Sequence, residues 1–161
     1  MKGLAITPIV ALATGCVASP VYVLSEIPLA GFASTELLQA RKVSRSGVIY
    51  ERVRGEALRR LIIGTKMWDD PSQAELIVIG ADPTHFRPDG TYVAVHNGRV
   101  RTILHGTYEV QRDYVCMNPA SAAGPYRFGL FAGGSDRYLA VYPKPLAAFS
   151  IVMIAKDEDS I

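Results

Sequence analysis

Cysteine is nearly absent from this chain: Cys16 and Cys116 are the two among 161 residues. That is too few for the disulfide framework of a small secreted scaffold or for a cysteine-based zinc site. Histidine is almost as sparse, with His85, His96 and His105. No apolar run reaches the roughly 18 to 20 residues that a helix needs to cross a bilayer. The nearest approach, Leu4 to Ala13, is short and is interrupted by Thr7 and Pro8. A surplus of charge of one sign is missing too, since 17 Lys and Arg stand against 15 Asp and Glu. The basic residues between Arg41 and Arg60 are interleaved with Glu51 and Glu56, the pattern of a solvated face, so no nucleic-acid partner is implied. Also missing are a Gly-x-Ser-x-Gly elbow, a glycine-rich phosphate loop and carboxylates spaced across a cleft. No motif therefore points to acyl transfer, phosphoryl transfer or glycoside hydrolysis, no cofactor or metal is implied, and a non-enzymatic protein is expected.

What is present suffices for one folded domain, with 49% hydrophobic and 20% charged residues, close to the balance of ordinary globular proteins. Lys2 beside the N-terminus, followed by the apolar run, reads as a signal peptide over residues 1–15. The sequence that follows, Ala13-Thr14-Gly15-Cys16, resembles the bacterial lipobox, with Ala13 where that motif usually carries Leu. The resemblance implies that Cys16 is acylated and begins the mature chain, and Val17 behind it implies sorting to the outer membrane. Residues 16–34, with Pro20, Pro28 and Gly31, then form a lipid-anchored tether, or a first strand around Val21 to Leu24. The expected location is an outer-membrane lipoprotein facing the periplasm or the cell surface. The alternative is cleavage after Ala13 or Ala18, giving a soluble periplasmic or secreted protein; the first of these cuts would leave Cys16 able to pair with Cys116. With Cys16 lipidated, Cys116 is expected to pack in the core as a small hydrophobe.

A short helix is expected from Glu36 to Lys42, capped by Ser34 or Thr35, and a second from Gly55 to Gly64. In the second, Ala57, Leu58, Leu61 and Ile62 share a face, Arg59 and Arg60 oppose them, and Gly64 ends the helix. From Ala74 onward, short β-branched and aromatic runs alternate with Gly, Pro, Asn and Asp. A two-residue turn at Asn97-Gly98 would pair His96 with Arg99 and Val93 with Thr102, and one at Asp89-Gly90 would pair Phe86 with Val93. Phe86, Val93, Val95, Val100 and Leu104 then share an apolar face. His85, Tyr92, His96, Arg99, Arg101 and His105 share the other. A third hairpin at Arg112-Asp113 would set Val110 opposite Val115 and Glu109 opposite Cys116. With strands at Glu75 to Ile79, Tyr126 to Phe131, Tyr138 to Tyr142 and Phe149 to Ile154, the fold class is mainly β. The expectation is a single up-and-down antiparallel barrel or curled sheet of about eight strands over residues 35–155, with one or two short N-terminal helices and a solvated acidic tail at 156–161.

The segment Leu61 to Met117, through "LIIGTKM", "HFRPDGTYV", "HNG" and "HGTYEVQRDYVCM", resembles a group of small lipocalin-like barrel domains of exported bacterial proteins. Tyr108 stands where that group usually has Trp, and the cysteine that would bridge Cys116 is missing. The resemblance implies a fold and carries no catalytic residue across. The chemistry left is the basic face of His85, Tyr92, Arg99, Arg101 and His105, a candidate contact for an anionic partner. The expected function is a membrane-anchored envelope lipoprotein binding a small apolar or amphipathic ligand, or an envelope protein. The alternatives are an inhibitor or stabilising subunit of an exported hydrolase or envelope complex, and last an enzyme of unknown type.

Overall fold

The structure is a computed structural model and describes residues 21–23, 40–70, 83–97, 101–121, 124–134, 136–142 and 148–158. Among the described residues, eleven strands and one helix run in the order β1 (Val21–Val23), β2 (Lys42–Arg45), β3 (Val48–Arg52), α1 (Gly55–Ile62), β4 (Thr65–Asp69), β5 (Thr84–Phe86), β6 (Thr91–Asn97), β7 (Arg101–Val110), β8 (Val115–Pro119), β9 (Tyr126–Ala132), β10 (Arg137–Tyr142) and β11 (Ala148–Lys156). From β4 to β11 each strand pairs antiparallel with the next, and β11 returns to β4 through Ile154 opposite Met67. This closes an eight-stranded up-and-down barrel, the architecture expected from the succession of hairpins. Closure matters physically because it leaves no edge among these strands to recruit another chain.

The barrel interior is built by alternation. Met67, Phe86, Tyr92, Tyr108, Val115, Met117, Phe128, Leu130, Tyr142 and Val152 form one buried cluster with Leu58 and Ile62 of α1. The helix plugs one end of the lumen. Its apolar face turns inward, while Glu56 and Arg60 form an exposed pair at 3.2 Å on the other. Gly64, at φ +68, reverses the chain in the left-handed region that glycine tolerates, and its N–H bonds Phe86 O at 2.9 Å. Gly55 N–H donates to Arg112 O at 2.6 Å, so the plug is tied to the β7–β8 turn as well.

A second layer lies outside the barrel. Beta strands β2 and β3 form a hairpin about Ser46 and Gly47, both at positive φ (49° and 76°), a primed two-residue turn. β3 pairs with the second half of β9 through Glu51 opposite Ala132 and Arg52 opposite Phe131, while β8 occupies the first half of the same edge. The hairpin carries Val43 and Tyr50 onto Phe131, Leu139, Val141 and Ile151, which point outward from the barrel. Both faces of β9, β10 and β11 are thereby buried, which explains why their sequences are nearly continuous apolar runs. Arg52 ties the layers together: its Nη2 donates to Asp113 O at 2.8 Å and its guanidinium lies 5.1 Å from the Phe131 ring centre.

Several expectations are corrected. Lys42 opens a strand instead of closing a helix; residues 36–39 lie outside the described ones. The first barrel strand is Thr65–Asp69, whereas the strand expected at Glu75 to Ile79 also falls outside the described residues. Val21–Val23 pairs in parallel with β2, as the strand reading of that segment anticipated. The acidic tail does not begin at Lys156: Asp157 is buried, its N–H bonding Gly64 O at 3.1 Å and its Oδ2 lying 2.6 Å from His85 Nδ1. Cys116 is half-buried on the outer face opposite Glu109, because Val115 and Met117 on either side of it point inward. Burial first, and then the Glu109 charge, push its thiol pKa up.

The Arg112-Asp113 hairpin has the expected register, with Val110 opposite Val115 and Glu109 opposite Cys116. The other two hairpins do not. Phe86 pairs with Tyr92, and His96 with Thr102. Pro88, Asp89 and Gly90 make a three-residue loop in which Asp89 Oδ1 accepts from Thr91 N–H at 2.8 Å and Gly90 sits at φ +83. An extra loop residue shifts the pairing by an odd number and turns β6 over. Tyr92 therefore points into the barrel, 2% exposed, and His85, Val93 and His105 lie in one cross-strand row on the outside.

Candidate ligand site at the open end of the barrel

Opposite the helical plug, the lumen is not filled. A cavity of about 80 Å³ lies there, lined by Met67, Asp69, Thr84, Phe86, Tyr92, Ala94, Leu104, Met117, Tyr126, Phe128, Tyr142 and Val152, with Trp68 and Val95 at its margin. Each barrel strand that ends or begins here contributes an inward side chain, so the site is a product of closure and of no single motif. The aromatic rings are continuous from floor to mouth. Phe86 meets Tyr108 edge-on at 5.1 Å, Phe128 lies 5.4 Å from Tyr142, and Tyr142 lies 6.4 Å from Tyr126. At the floor the Tyr108 hydroxyl donates to Arg87 O at 2.6 Å, which satisfies the polar end of a ring otherwise packed in the core.

The polar groups of the mouth are few and placed. The Ser150 hydroxyl, from β11, donates to Asp69 Oδ1 of β4. Burial pushes the Asp69 carboxyl above its ordinary pKa, and the Ser150 hydrogen bond pulls it partly back. The Tyr126 phenol is pushed up to about 12, by burial first and then by the adjacent Tyr92 oxygen, to which it is hydrogen-bonded. Tyr142, fully enclosed, is raised further for the same first reason, with Tyr126 and Asp69 adding their charge. Among the described residues, the cavity lining contains one carboxyl and no Lys, Arg or His. The next residue, Asp70, leaves on the other side of the sheet, where its Oδ2 lies 3.4 Å from Arg137 Nε.

The residues expected to form a basic face are divided by the structure. His85 and His105 do share the outer surface, in a row with Val93 between them. His85 is engaged by Asp157, and His105 is exposed. Tyr92 is removed to the lumen. Arg101 begins β7, but its side chain, like that of His96, lies outside what is described, as does the whole of Arg99 and of Cys16. Among the described residues, no group of three or more His, Cys, Asp or Glu side chains is placed to hold a metal, and no helix is long and apolar enough to cross a membrane.

Sequence reasoning missed the cavity lining almost entirely. Asp69-Asp70 reads as a loop, and Tyr126 and Tyr142 read as strand residues of unassigned facing. The usable signal was the "TKMWD" alternation of Thr65, Met67 and Asp69 directly after the helix stop at Gly64. No protein-family model, curated protein or solved structure matches this chain.

Proposed function

We propose that this protein is a non-enzymatic binding protein of the bacterial cell envelope, exported and held to a membrane through Cys16, with a lipocalin-like barrel that takes a small apolar or amphipathic ligand in its lumen. The observation that carries the binding half of this reading is the asymmetry of the lumen: one end is plugged by Leu58 and Ile62 of α1, and the other holds the aromatic cavity. Ligand sites in barrels favour the mouth and combine an apolar lining with a few fixed polar groups. Here those groups are Thr84, the tyrosines and Asp69, whose carboxyl is held by Ser150. The volume, about 80 Å³, is roughly half the ~150 Å³ of an apolar cavity that takes benzene, so it suits a small head group with the rest of the ligand outside it, and not a whole lipid. Proton-transfer chemistry is poorly served, since a phenol raised to about 12 is a weak acid at neutral pH. The anchoring half rests on the lipobox-like Ala13-Thr14-Gly15-Cys16.

Two measurements test the reading. Titration of the full chain with a water-soluble aromatic such as benzyl alcohol should shift the fluorescence of Trp68, the single tryptophan, and the methyl resonances of Met67 and Met117. Absence of any shift up to the solubility limit would refute luminal binding. Intact mass spectrometry of membrane-purified protein, with Cys16→Ser as the control, should show a chain beginning at an acylated Cys16; an unmodified chain beginning at Thr14 would make it soluble and exported.

A further inference from the structure

The lumen's lining is narrower than "apolar", because it carries charge of one sign. The chain as a whole is slightly basic, with formal net charge +2. Its cavity is the opposite: among the described lining residues one carboxyl stands with no base, surrounded by aromatic rings. We propose that the group seated in this cavity is a small organic cation, a primary or quaternary ammonium, held against Asp69 and faced by the rings of Tyr92, Tyr126 and Tyr142. This rests on the reading of the lumen as a binding site and names the ligand class for it.

Three physical arguments converge. Tyr126 and Tyr142, whose ring centres are 6.4 Å apart at an interplanar angle of 43°, line the same cavity as Asp69 and Tyr92, and a ring quadrupole attracts positive charge out to ~6 Å from its centre. Asp69 already has one partner, the Ser150 hydroxyl donating to Oδ1, which fixes the carboxyl and leaves Oδ2 for a ligand. A neutral or anionic occupant would exclude water from this carboxyl without replacing it, whereas a cation offsets the desolvation that raises its pKa. The tyrosine hydroxyls stay protonated at neutral pH, so the rings offer their faces without a competing phenolate. Leu104, 38% exposed at the margin, gives the ligand's apolar remainder a surface outside the ammonium seat.

The test compares two probes of nearly equal shape, benzylamine and benzyl alcohol, on the full chain at neutral pH. It is read by Trp68 fluorescence and by the methyl signals of Met67 and Met117, and repeated on Asp69→Asn, which keeps an acceptor for Ser150. Benzylamine should bind about tenfold or more tightly than the alcohol, a step of about 1.4 kcal/mol, and Asp69→Asn should erase that preference. Equal binding of the two probes to the unaltered protein, or a preference that survives Asp69→Asn, overturns the cation assignment and leaves luminal binding standing. Failure of both probes on the unaltered protein overturns luminal binding and this inference with it. Because the probe comparison is made on the unaltered chain, the outcome does not depend on Asp69→Asn folding.

Discussion

Leu139→Ala separates this fold from a plain up-and-down barrel more sharply than any substitution in the lumen. Leu139 points outward from β10, between the inward Tyr138 and Ala140. In an eight-stranded barrel without a second layer it would face water, and its truncation would change stability by no more than about 0.5 kcal/mol. Here it is fully buried against Val43, Tyr50, Phe131, Val141 and Ile151. Three carbon groups are lost, about 2.4 kcal/mol at ~0.8 kcal/mol each, and the void adds to that. The β2–β3 hairpin is attached along one edge and can settle inward, so the total should fall near the lower part of the measured range for such changes, about 3 kcal/mol. At roughly 2 to 4 °C per kcal/mol for a chain of this size, the melting temperature should drop by about 6 to 12 °C. Thermal unfolding followed by far-ultraviolet circular dichroism is the assay, with Ile103→Ala as the control because Ile103 is 58% exposed. If Leu139→Ala melts within about 2 °C of the parent, as Ile103→Ala should, the N-terminal hairpin does not cover the barrel and the two-layer description fails.

Three further outcomes follow from the geometry. At Gly106, opposite Tyr92, an added Cβ would overlap Asn118 O and come within 2.8 Å of Tyr92 Cε1 and 2.9 Å of Pro119 Cα. Two of those obstacles are backbone, so Gly106→Ala should cost about 3 kcal/mol by urea unfolding, and a cost under about 0.5 kcal/mol would show that β7 and β8 are not so close. In a phenolate absorbance titration the eight tyrosines should not all ionise by pH ~11, one unit above an ordinary phenol; Tyr126→Phe should remove a group that titrates at about 12. Asp69 has its pKa raised in the folded state by burial. Its stabilising contribution is therefore complete below the unfolded carboxyl value near 3.8 and is lost as pH rises through the folded value. Asp69→Asn should flatten that part of the stability profile, and an unchanged slope above pH ~4 would contradict the burial of Asp69.

The parts of the fold that were legible in the sequence share a property: their turns and caps are made by local chemistry. Gly64 ends α1 because few other residues take φ +68, and Leu58 and Ile62 announce the buried face. The β7–β8 hairpin is fixed by alternating Val110 and Val115 on either side of a short polar turn. What was not legible depends on distant partners. Leu139-Ala140-Val141-Tyr142 and Phe128 to Phe131 carry no alternation from which to choose an inward face, because the β2–β3 hairpin, some 80 residues earlier in the chain, buries their second side. That hairpin did have a local mark, Ser46-Gly47 between Val43 and Tyr50, and an S-G pair is a turn signal; helix propensity upstream competed with it.

The candidate site is hidden in the sequence by the parity of two registers, those of the β5–β6 and β6–β7 hairpins. Pattern alone favours Val93 and Val95 as the buried residues of β6, since Tyr92, Ala94 and His96 look like the wetter set. The choice is overruled by the Pro88-Asp89-Gly90 loop, where Asp89 binds Thr91 and commits one residue more to the turn than Asp89-Gly90 would. Once β6 is turned over, Tyr92 faces the lumen, and it meets there Tyr126, Tyr142 and Asp69 from three other strands. The same parity rule splits the Asp69-Asp70 pair, sending one carboxyl to the aromatic cavity and the other to Arg137 on the outer face. Two adjacent acids that read as a solvated loop are thus placed in different chemical environments. The inward one has aromatic rings and no basic partner among the described lining residues, which is why the proposed ligand class turns on Asp69 more than on any turn motif.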